Sequence, residues 1–353
     1  MLKTYLDDLE RRIDPESEEE LETSWRQFLA GECPTQCFCP QRRKAAPPRV
    51  EWPKIPINEA FEDLEKMLIR ELKMSSDVLA EGSGAILNIR SNYGTGIMPS
   101  LFGTEIFFMD QSHDTLPTAV PLPDGTDGIR RLLDAGIPDL DRGLAPKVFE
   151  SAAFYEEQLK HYPKIREYVR HYHPDLQGPV DVAEVVWGSG IFMEFYDHPE
   201  LVKSFLQLVT ETYERFMRRW LAEFPGVPGR FRSHWGIGHR GQILLRDDSA
   251  MNLSPEMYAE FVLPFDRKLL AEFGGGVVHF CGKGDHYIDQ LAAVPELTGI
   301  QMSQPEYNDM EVIYRNTVDR GIPLLSLPAA EVDRALAAGR NLRGMVHDGR
   351  CRC

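Results

Sequence analysis

The last third of the chain alternates between short apolar runs and helical segments, and this alternation constrains the fold more than any other feature. The apolar runs at 276–281, 299–303, 322–327 and 343–347 are typical of strands, and the segments at 286–293, 310–320 and 329–340 are typical of helices. Strands that alternate with helices of this length form parallel sheets with right-handed crossovers. The sequence therefore predicts an α/β fold with a parallel sheet.

Strand patterns in the middle of the chain extend this alternation to a barrel. About eight strands are predicted, near residues 86, 105, 170, 232, 243, 277, 300 and 323, and one near 344 competes for a place among them. No Gly-x-Gly-x-x-Gly follows a strand, which disfavours a dinucleotide-binding sheet. The count predicts a (β/α)8 TIM barrel over residues 57–353, with its active site at the C-terminal ends of the strands.

The first 56 residues differ from this pattern and are predicted to form an N-terminal extension of helix and loop. Residues 1–30 have the pattern of an acidic amphipathic helix, and residues 31–57 form an arm rich in cysteine and proline. The spacing of Cys33, Cys37 and Cys39 matches neither a zinc ribbon nor a common iron–sulfur motif. We interpret these three cysteines as incidental to function.

Composition excludes several classes of protein. The chain has 353 residues, with 39 basic against 55 acidic side chains and a net charge of -16, so it is a poor candidate for binding nucleic acid or an anionic membrane. It has no apolar run of about 18 residues, and its charged N-terminus does not resemble a signal peptide. Six cysteines are too few for a disulfide framework. We expect a protein of the reduced cytoplasm, where clustered cysteines favour metal binding or catalysis over disulfides.

Polar side chains follow nearly every predicted strand, and a barrel would bring them to one mouth. In chain order they are Asn92, Tyr93, Asp175, Gln177, His234, Trp235, Asp247, Asp248, His279, Cys281, Gln304, Glu306, Ser326 and His347. The catalytic candidates among them are Asp247, Asp175, His234 and Tyr93, and the substrate-binding candidates are Asn92, Gln177, Trp235, Asp248, Gln304 and Glu306. Asp247 and Asp248 suit general acid–base catalysis or the orientation of a ligand, and the alternatives are a surface turn or the support of a nearby histidine.

His279 and Cys281 are the strongest candidates for metal ligands. Residues i and i+2 of a strand project from the same face, and an imidazole beside a thiolate suits zinc better than calcium or magnesium. A catalytic zinc site usually has three protein ligands and one open position. Cys351, Cys353 and His347 compete for the third place near the end of the sequence.

Several segments together resemble the uroporphyrinogen decarboxylase-like superfamily over residues 57–353. They are residues 181–188, 196–202 and 253–258, Pro264, and residues 279–282. The resemblance implies a (β/α)8 barrel. The chain lacks the Arg-Gln-Ala-Gly-Arg motif of the true decarboxylases and looks more like the corrinoid-dependent methyltransferases.

In that branch, a His-x-Cys pair and a later cysteine hold zinc, which activates a thiol such as coenzyme M. The resemblance therefore implies His279, Cys281 and Cys351 as ligands, although Cys351 lacks the glycine that usually precedes it. It also implies a cobalamin, carried on a separate corrinoid protein.

The first hypothesis is thus a zinc-dependent methyltransferase that moves a methyl group between a cobalamin and a thiol or other small molecule. The second is a metal-free decarboxylase, in which Asp247 or Asp175 stabilises a cationic pyrrole and Arg90, Arg240 and Arg246 bind carboxylates. The third is a non-catalytic barrel that binds a corrinoid or another ligand. The sequence names neither methyl donor nor acceptor, and it leaves the oligomeric state open, including a homodimer.

Overall fold

The computed structural model describes residues 1–110 and 113–351, with only the backbone described at Cys351. The helices are α1 (Leu2–Arg12), α2 (Pro15–Leu29), α3 (Ile57–Glu62), α4 (Leu64–Glu81), α5 (Ile97–Leu101), α6 (Gly125–Ala135), α7 (Ala145–Leu159), α8 (Pro163–Tyr168), α9 (Pro179–Trp187), α10 (Ile191–Asp197), α11 (Pro199–Glu223), α12 (Pro255–Phe261), α13 (Leu263–Glu272), α14 (Ile288–Leu291), α15 (Met310–Asn316) and α16 (Ala329–Ala337). The strands are β1 (Asn88–Ile89), β2 (Glu105–Phe107), β3 (Thr118–Val120), β4 (Arg170–His171), β5 (Arg232–His234), β6 (Ile237–His239), β7 (Ile243–Arg246), β8 (Gly276–Phe280), β9 (Leu297–Met302), β10 (Leu324–Leu327) and β11 (Val346–Asp348).

Five strands form a parallel sheet at the centre of this mixed α/β fold. Their order is β11-β10-β9-β8-β7. The register places Arg246 of β7 opposite His279 of β8, and His279 opposite Gln301 of β9. These three side chains therefore form a row near the C-terminal ends of adjacent strands, which is where ligands bind in parallel α/β sheets.

Two of the strands predicted for the barrel lie elsewhere. The strand predicted near 105 is β2, which pairs antiparallel with β3. The strand predicted near 232 is β5, which pairs antiparallel with β6 across a turn at Trp235 and Gly236. Among the described residues, neither β2 nor β5 pairs in parallel with another strand, so the structure does not show the parallel barrel strands predicted at these two places.

The strands predicted near 86 and 170 form a second, parallel pair, β1 with β4. His173 lies beyond β4, and its Nε2 accepts a hydrogen bond from the backbone N–H of Leu244 at 3.2 Å. Further along, the Gly178 N–H donates to the carbonyl of Arg246 at 2.7 Å. The chain after β4 therefore runs beside β7. One hydrogen bond between them uses the His173 imidazole, and the other joins backbone groups.

The N-terminal extension is integrated into the core. The side chain of Trp25 on α2 is fully buried, and its indole N–H donates to the carbonyl of Gly84 at 3.0 Å. The arm also adds a parallel bridge to β11, because the Phe38 N–H donates to Val346 and the Asp348 N–H donates to Phe38. The domain boundary at residue 56 stays a prediction. In the described ranges, none of the helices has the length and apolar character needed to cross a membrane.

Candidate metal centre

Three candidate ligands converge at the C-terminal ends of β7 and β8. The Nε2 atom of His279 lies 3.4 Å from Cys281 Sγ and 3.2 Å from Asp248 Oδ1. One ligand atom from each residue lies within 4.8 Å of the other two. Asp248 comes from the 3-10 turn after β7, and β7 lies beside β8, so the strand order itself brings the carboxylate to the His-x-Cys pair. No second group of this kind occurs among the described residues.

The neighbours of these ligands fix their orientation. Gln301 contacts His279 through its amide oxygen, which accepts a hydrogen bond from the imidazole Nδ1 and leaves Nε2 facing Cys281 and Asp248. Asp248 accepts hydrogen bonds from the backbone N–H of Cys281 at 2.8 Å and from Arg246 Nη2 at 3.2 Å. Partners of this kind set the tautomer and direction of metal-binding side chains.

The electrostatics of the group favour charge separation in the absence of metal. Burial acts to raise the pKa of Asp248, but the hydrogen bond from His279 and the positive charge of Arg246 outweigh it and lower that pKa. Burial acts to lower the pKa of His279, but its contacts with Asp248 and Cys281 raise it to about 9. A metal would therefore have to displace a proton from His279, as is usual for imidazole ligands.

The donor set fits zinc. It offers one nitrogen, one sulfur and one oxygen, and zinc is bound by this mixture whereas magnesium and calcium require oxygen ligands. Three protein ligands leave a fourth position for a substrate atom. A cavity of about 340 Å³ adjoins Asp248, bordered also by Gln177, Asp181 and Glu184.

Two residues beside this group have backbone conformations that are uncommon for side chains other than glycine. Gln177 has φ 62° and Trp235 has φ 49°. The Gln177 Oε1 atom is buried and accepts no hydrogen bond from the described residues. The Trp235 ring centroid lies 5.4 Å from the ring centroid of His279. On Trp235 also packs the guanidinium of Arg246, which lies 5.7 Å from the Trp235 ring centroid. Such conformations cluster at functional sites, and both residues were substrate-binding candidates.

Asp175, a catalytic candidate, holds two arginines in place. It pairs with Arg90 and accepts a hydrogen bond from Arg246 Nη1 at 3.3 Å. Burial acts to raise the pKa of Asp175, but the two guanidinium groups outweigh it and keep that pKa low. Asp175 is therefore a fixed anion that orients Arg246, which in turn binds Asp248. The pairing also engages two of the three arginines that a decarboxylase would need for its substrate.

Asp247 lies outside the group of candidate ligands, in a buried cluster of carboxyl groups. It faces Asp266, and burial together with that neighbour raises the pKa of Asp247 well above its ordinary value. Burial raises the pKa of Asp266 to about 7, and burial with Asp247 nearby raises that of Asp181 to about 8. Asp181 also accepts hydrogen bonds from the backbone N–H groups of Asp248 and Ser249, at 3.0 and 2.8 Å. The cluster thus anchors the turn that carries Asp248.

Replacing Asp266 by asparagine should make the protein more stable than wild type, by an amount that grows as the pH rises from 4 to 7.5. A raised carboxyl pKa means that the folded state holds its proton while the unfolded state loses it, so wild-type stability falls from about pH 4 towards pH 7. The asparagine side chain would not ionise, and its amide would donate to Asp247. We expect a gain in unfolding free energy on the order of 2–3 kcal/mol at pH 7.5 and little gain at pH 4. Urea unfolding across this range measures it, and parallel pH curves for the two proteins would contradict the assignment.

Two further candidates at the end of β1 serve the core. Asn92 donates to Glu71 of α4 at 2.8 Å. Tyr93 is buried with its ring centroid 5.0 Å from that of Phe61, and burial raises the pKa of Tyr93 to about 12. Neither residue belongs to the group formed by Asp248, His279 and Cys281.

After β9, the two substrate-binding candidates differ in their surroundings. Gln304 accepts a hydrogen bond from the backbone N–H of Gly282 at 2.6 Å and so supports the loop after Cys281. Glu306 is exposed at the surface.

His234, a catalytic candidate, is buried in the β5–β6 hairpin, and its Nδ1 lies 2.8 Å from His239 Nε2.

The rivals for the third ligand position lie elsewhere or outside the described atoms. His347 packs against Trp25 and Phe38, with ring centroids 4.7 and 5.8 Å away. The side chain of Cys351 and all of Cys353 lie outside the described residues.

The arm cysteines do not join the candidate centre. Cys33 and Cys37 are free thiols, and Cys39 is disulfide-bonded. The group within 4.8 Å contains none of them.

Sequence reasoning assigned Asp248 to the substrate and did not name Gln301 at all. One sequence signal could have identified Asp248 as a candidate ligand: it follows β7, the strand that comes before β8 in the chain. Gln301 could be found only from the register between β8 and β9, which local sequence does not contain.

Comparison with known proteins gives a fold relationship. No protein-family model matches the chain, and no curated protein matches it in sequence. Among solved structures it is similar to a methyltransferase from Methanosarcina mazei, with a TM-score of 0.61 and 19% identity, over 93% of this chain and 92% of that one. The match spans nearly all of both chains, so the similarity concerns the whole architecture rather than one motif.

Proposed function

We propose that this protein is a zinc-dependent methyltransferase that transfers a methyl group to or from a thiol. The convergence of Asp248, His279 and Cys281 at the sheet's C-terminal edge carries the proposal. The fold similarity to a methyltransferase supports it independently of those residues. Asp248 takes the third ligand position in this proposal, in place of Cys351.

The residues of the chain have separate tasks in this proposal. Bound zinc would supply the positive charge that keeps a substrate thiol deprotonated at neutral pH. Gln301 holds His279 in the tautomer that presents Nε2, and Arg246 holds Asp248. Trp235 packs edge-on against the His279 ring and limits the directions from which a substrate can approach it.

We also propose that the strands of this fold close into a barrel. The arm bridges β11 at Phe38 and bridges the segment before β1 through Gln41 and Ser83. On the other side, the chain after β4 reaches β7 through the bond from Gly178 to Arg246. These links support a closed ring in which the arm joins β11 in parallel and the segment before β1 in antiparallel orientation.

In this proposal, a cobalamin carried on a separate corrinoid protein gives or receives the methyl group. The pocket beside Asp248 measures about 340 Å³, which suits a small thiol better than a whole corrinoid. The larger cofactor would therefore approach from outside, over the edge of the sheet.

A methyl-transfer assay tests the proposal. The zinc-loaded chain is mixed with methylcobalamin and a panel of small thiols that includes 2-mercaptoethanesulfonate, and demethylation is followed by visible absorbance. We expect a zinc-dependent rate that His279→Ala removes and Cys33→Ser leaves unchanged. A zinc-loaded chain that demethylates methylcobalamin with none of the thiols, alone or with a corrinoid protein, would contradict methyl transfer.

A further inference from the structure

The cavity beside the candidate metal centre has an acidic wall. Its volume is about 340 Å³, and the carboxyl side chains of Asp181, Glu184 and Asp248 line it. Among the described residues, no lysine, arginine or histidine lines it. A substrate in this cavity is therefore in contact with negative charge from the wall and with no positive charge.

Two of these carboxyl groups already have partners. Asp248 is a candidate metal ligand and accepts a hydrogen bond from Arg246 Nη2 at 3.2 Å. Asp181 is buried and accepts hydrogen bonds from the backbone N–H groups of Asp248 and Ser249. Burial, with Asp247 nearby, raises the pKa of Asp181 to about 8, so Asp181 carries little charge at pH 7. Neither group is free to pair with a charged part of a substrate.

Glu184 is the carboxylate that remains. Its side chain is half-buried, and the hydroxyl of Ser249 donates to its Oε2. Its Oε1 accepts no hydrogen bond from the described residues and is not closed off from solvent. No cationic side chain in the described ranges forms an ion pair with Glu184. Glu184 therefore offers the cavity an accessible negative charge that the protein does not balance.

Glu184 also occupies a position where a helix disfavours negative charge. It lies in the last turn of α9, which ends at Trp187 and has no basic residue in that turn. The C-terminal end of a helix carries a partial negative charge, which favours cations and disfavours carboxylates. A cation bound in the cavity would interact favourably with both the helix end and the Glu184 side chain.

Zinc at the candidate centre would not repel such a cation. The thiolate of Cys281 and the carboxylate of Asp248 would balance its two positive charges, and a bound substrate thiolate would make the centre negative. Asp248 belongs to the candidate centre and also lines the cavity. A substrate whose sulfur reaches the centre can therefore place its other end in the cavity.

From these features we propose that the substrate thiol carries an ammonium group and that Glu184 binds this group. The inference rests on the proposed function and names its substrate class, a small aminothiol rather than an anionic thiol. Glu184 is a specificity-determining residue in this account and is not a metal ligand.

Three thiols that share a two-carbon chain test the charge of the substrate. Cysteamine ends in an ammonium group, 2-mercaptoethanol in a neutral hydroxyl and 2-mercaptoethanesulfonate in an anion. Isothermal titration of the zinc-loaded full chain should show the tightest binding for cysteamine and the weakest for the sulfonate. Because the thiols also differ in acidity, the decisive quantity is the change in these preferences between wild type and variant.

Variants of Glu184 assign the contact. Glu184→Gln keeps the size of the side chain and an acceptor for Ser249, and it should lower the preference for cysteamine over 2-mercaptoethanol by about tenfold. Glu184→Lys should shift the preference towards 2-mercaptoethanesulfonate. The matched control is Glu81→Gln, because Glu81 is exposed at the C-terminal end of α4 and lies outside the cavity. This control should leave the preferences within about twofold of wild type.

The outcomes separate this inference from the proposed function. Preferences in both Glu184 variants equal to those of wild type, or saturable binding of none of the three thiols, would overturn the inference. Binding with the expected preferences but without methyl transfer to or from any thiol would support the role of Glu184 and contradict the proposed function.

Discussion

Replacing Cys281 by serine should lower the affinity of the chain for zinc by at least about 100-fold. Loss of a residue that only supports a ligand costs 10–100-fold, and loss of a ligand should cost no less. Serine keeps the size of the side chain and its backbone hydrogen bond to Asp248, so the change removes the thiolate and little else. Competition with a chromophoric chelator at pH 7.5 measures the affinity.

Cys33→Ser is the matched control for this prediction. Cys33 is also a free thiol but lies in the arm, away from the candidate ligands, so its replacement should leave zinc affinity within about twofold of wild type. Equal losses in the two variants would show that zinc binds through scattered thiols. Unchanged affinity in Cys281→Ser would remove this residue from the site.

Replacing Trp25 by alanine should lower the free energy of unfolding by about 3–5 kcal/mol. The indole is fully buried, and its ring centroid lies 5.0 Å from that of Phe38. Truncation would leave a cavity between α2 and the sheet and deprive the Gly84 carbonyl of its hydrogen bond. Urea unfolding, followed by far-UV circular dichroism, measures the change.

Two controls interpret that result. Trp25→Phe keeps most of the buried ring and should cost less than the alanine variant. Met74→Ala removes an exposed side chain and should change stability by about 0.5 kcal/mol at most. A loss of under about 1 kcal/mol for Trp25→Ala would mean that the N-terminal extension unfolds separately from the sheet.

Local sequence was sufficient for the regular elements of the last third. The apolar runs predicted at 276–281 and 299–303 correspond to β8 and β9, and the run at 322–327 contains β10. Ser254 caps α12, where its side chain accepts the hydrogen bond from the Met257 N–H. Periodicity and capping act within a few residues, so one stretch of chain contains the whole signal.

Strand pairing was beyond the reach of local sequence. The segments near 105 and 232 do form strands, but their partners are the antiparallel neighbours of short hairpins. The arm at Phe38 gave no strand pattern, yet it bridges β11 more than 300 residues away. These contacts depend on which surfaces remain unpaired once the sheet has formed.

The candidate site shows the same division. The i, i+2 spacing of His279 and Cys281 was enough to bring their side chains together. The third member of the candidate group depended on knowing that β7 lies beside β8, which brings Asp248 within reach. Asn92 and Tyr93 follow a strand but contact helices in the core. Local sequence does not distinguish such residues from polar residues that follow a strand and belong to a functional site.

X-ray absorption spectroscopy of the zinc-loaded chain tests the central claim most directly. We expect one sulfur at about 2.3 Å and nitrogen or oxygen ligands at about 2.0–2.1 Å, with a second sulfur after a substrate thiol is added. Cys281→Ser should remove the sulfur from the resting state. A resting site with no sulfur, or with two, would contradict the set of Asp248, His279 and Cys281.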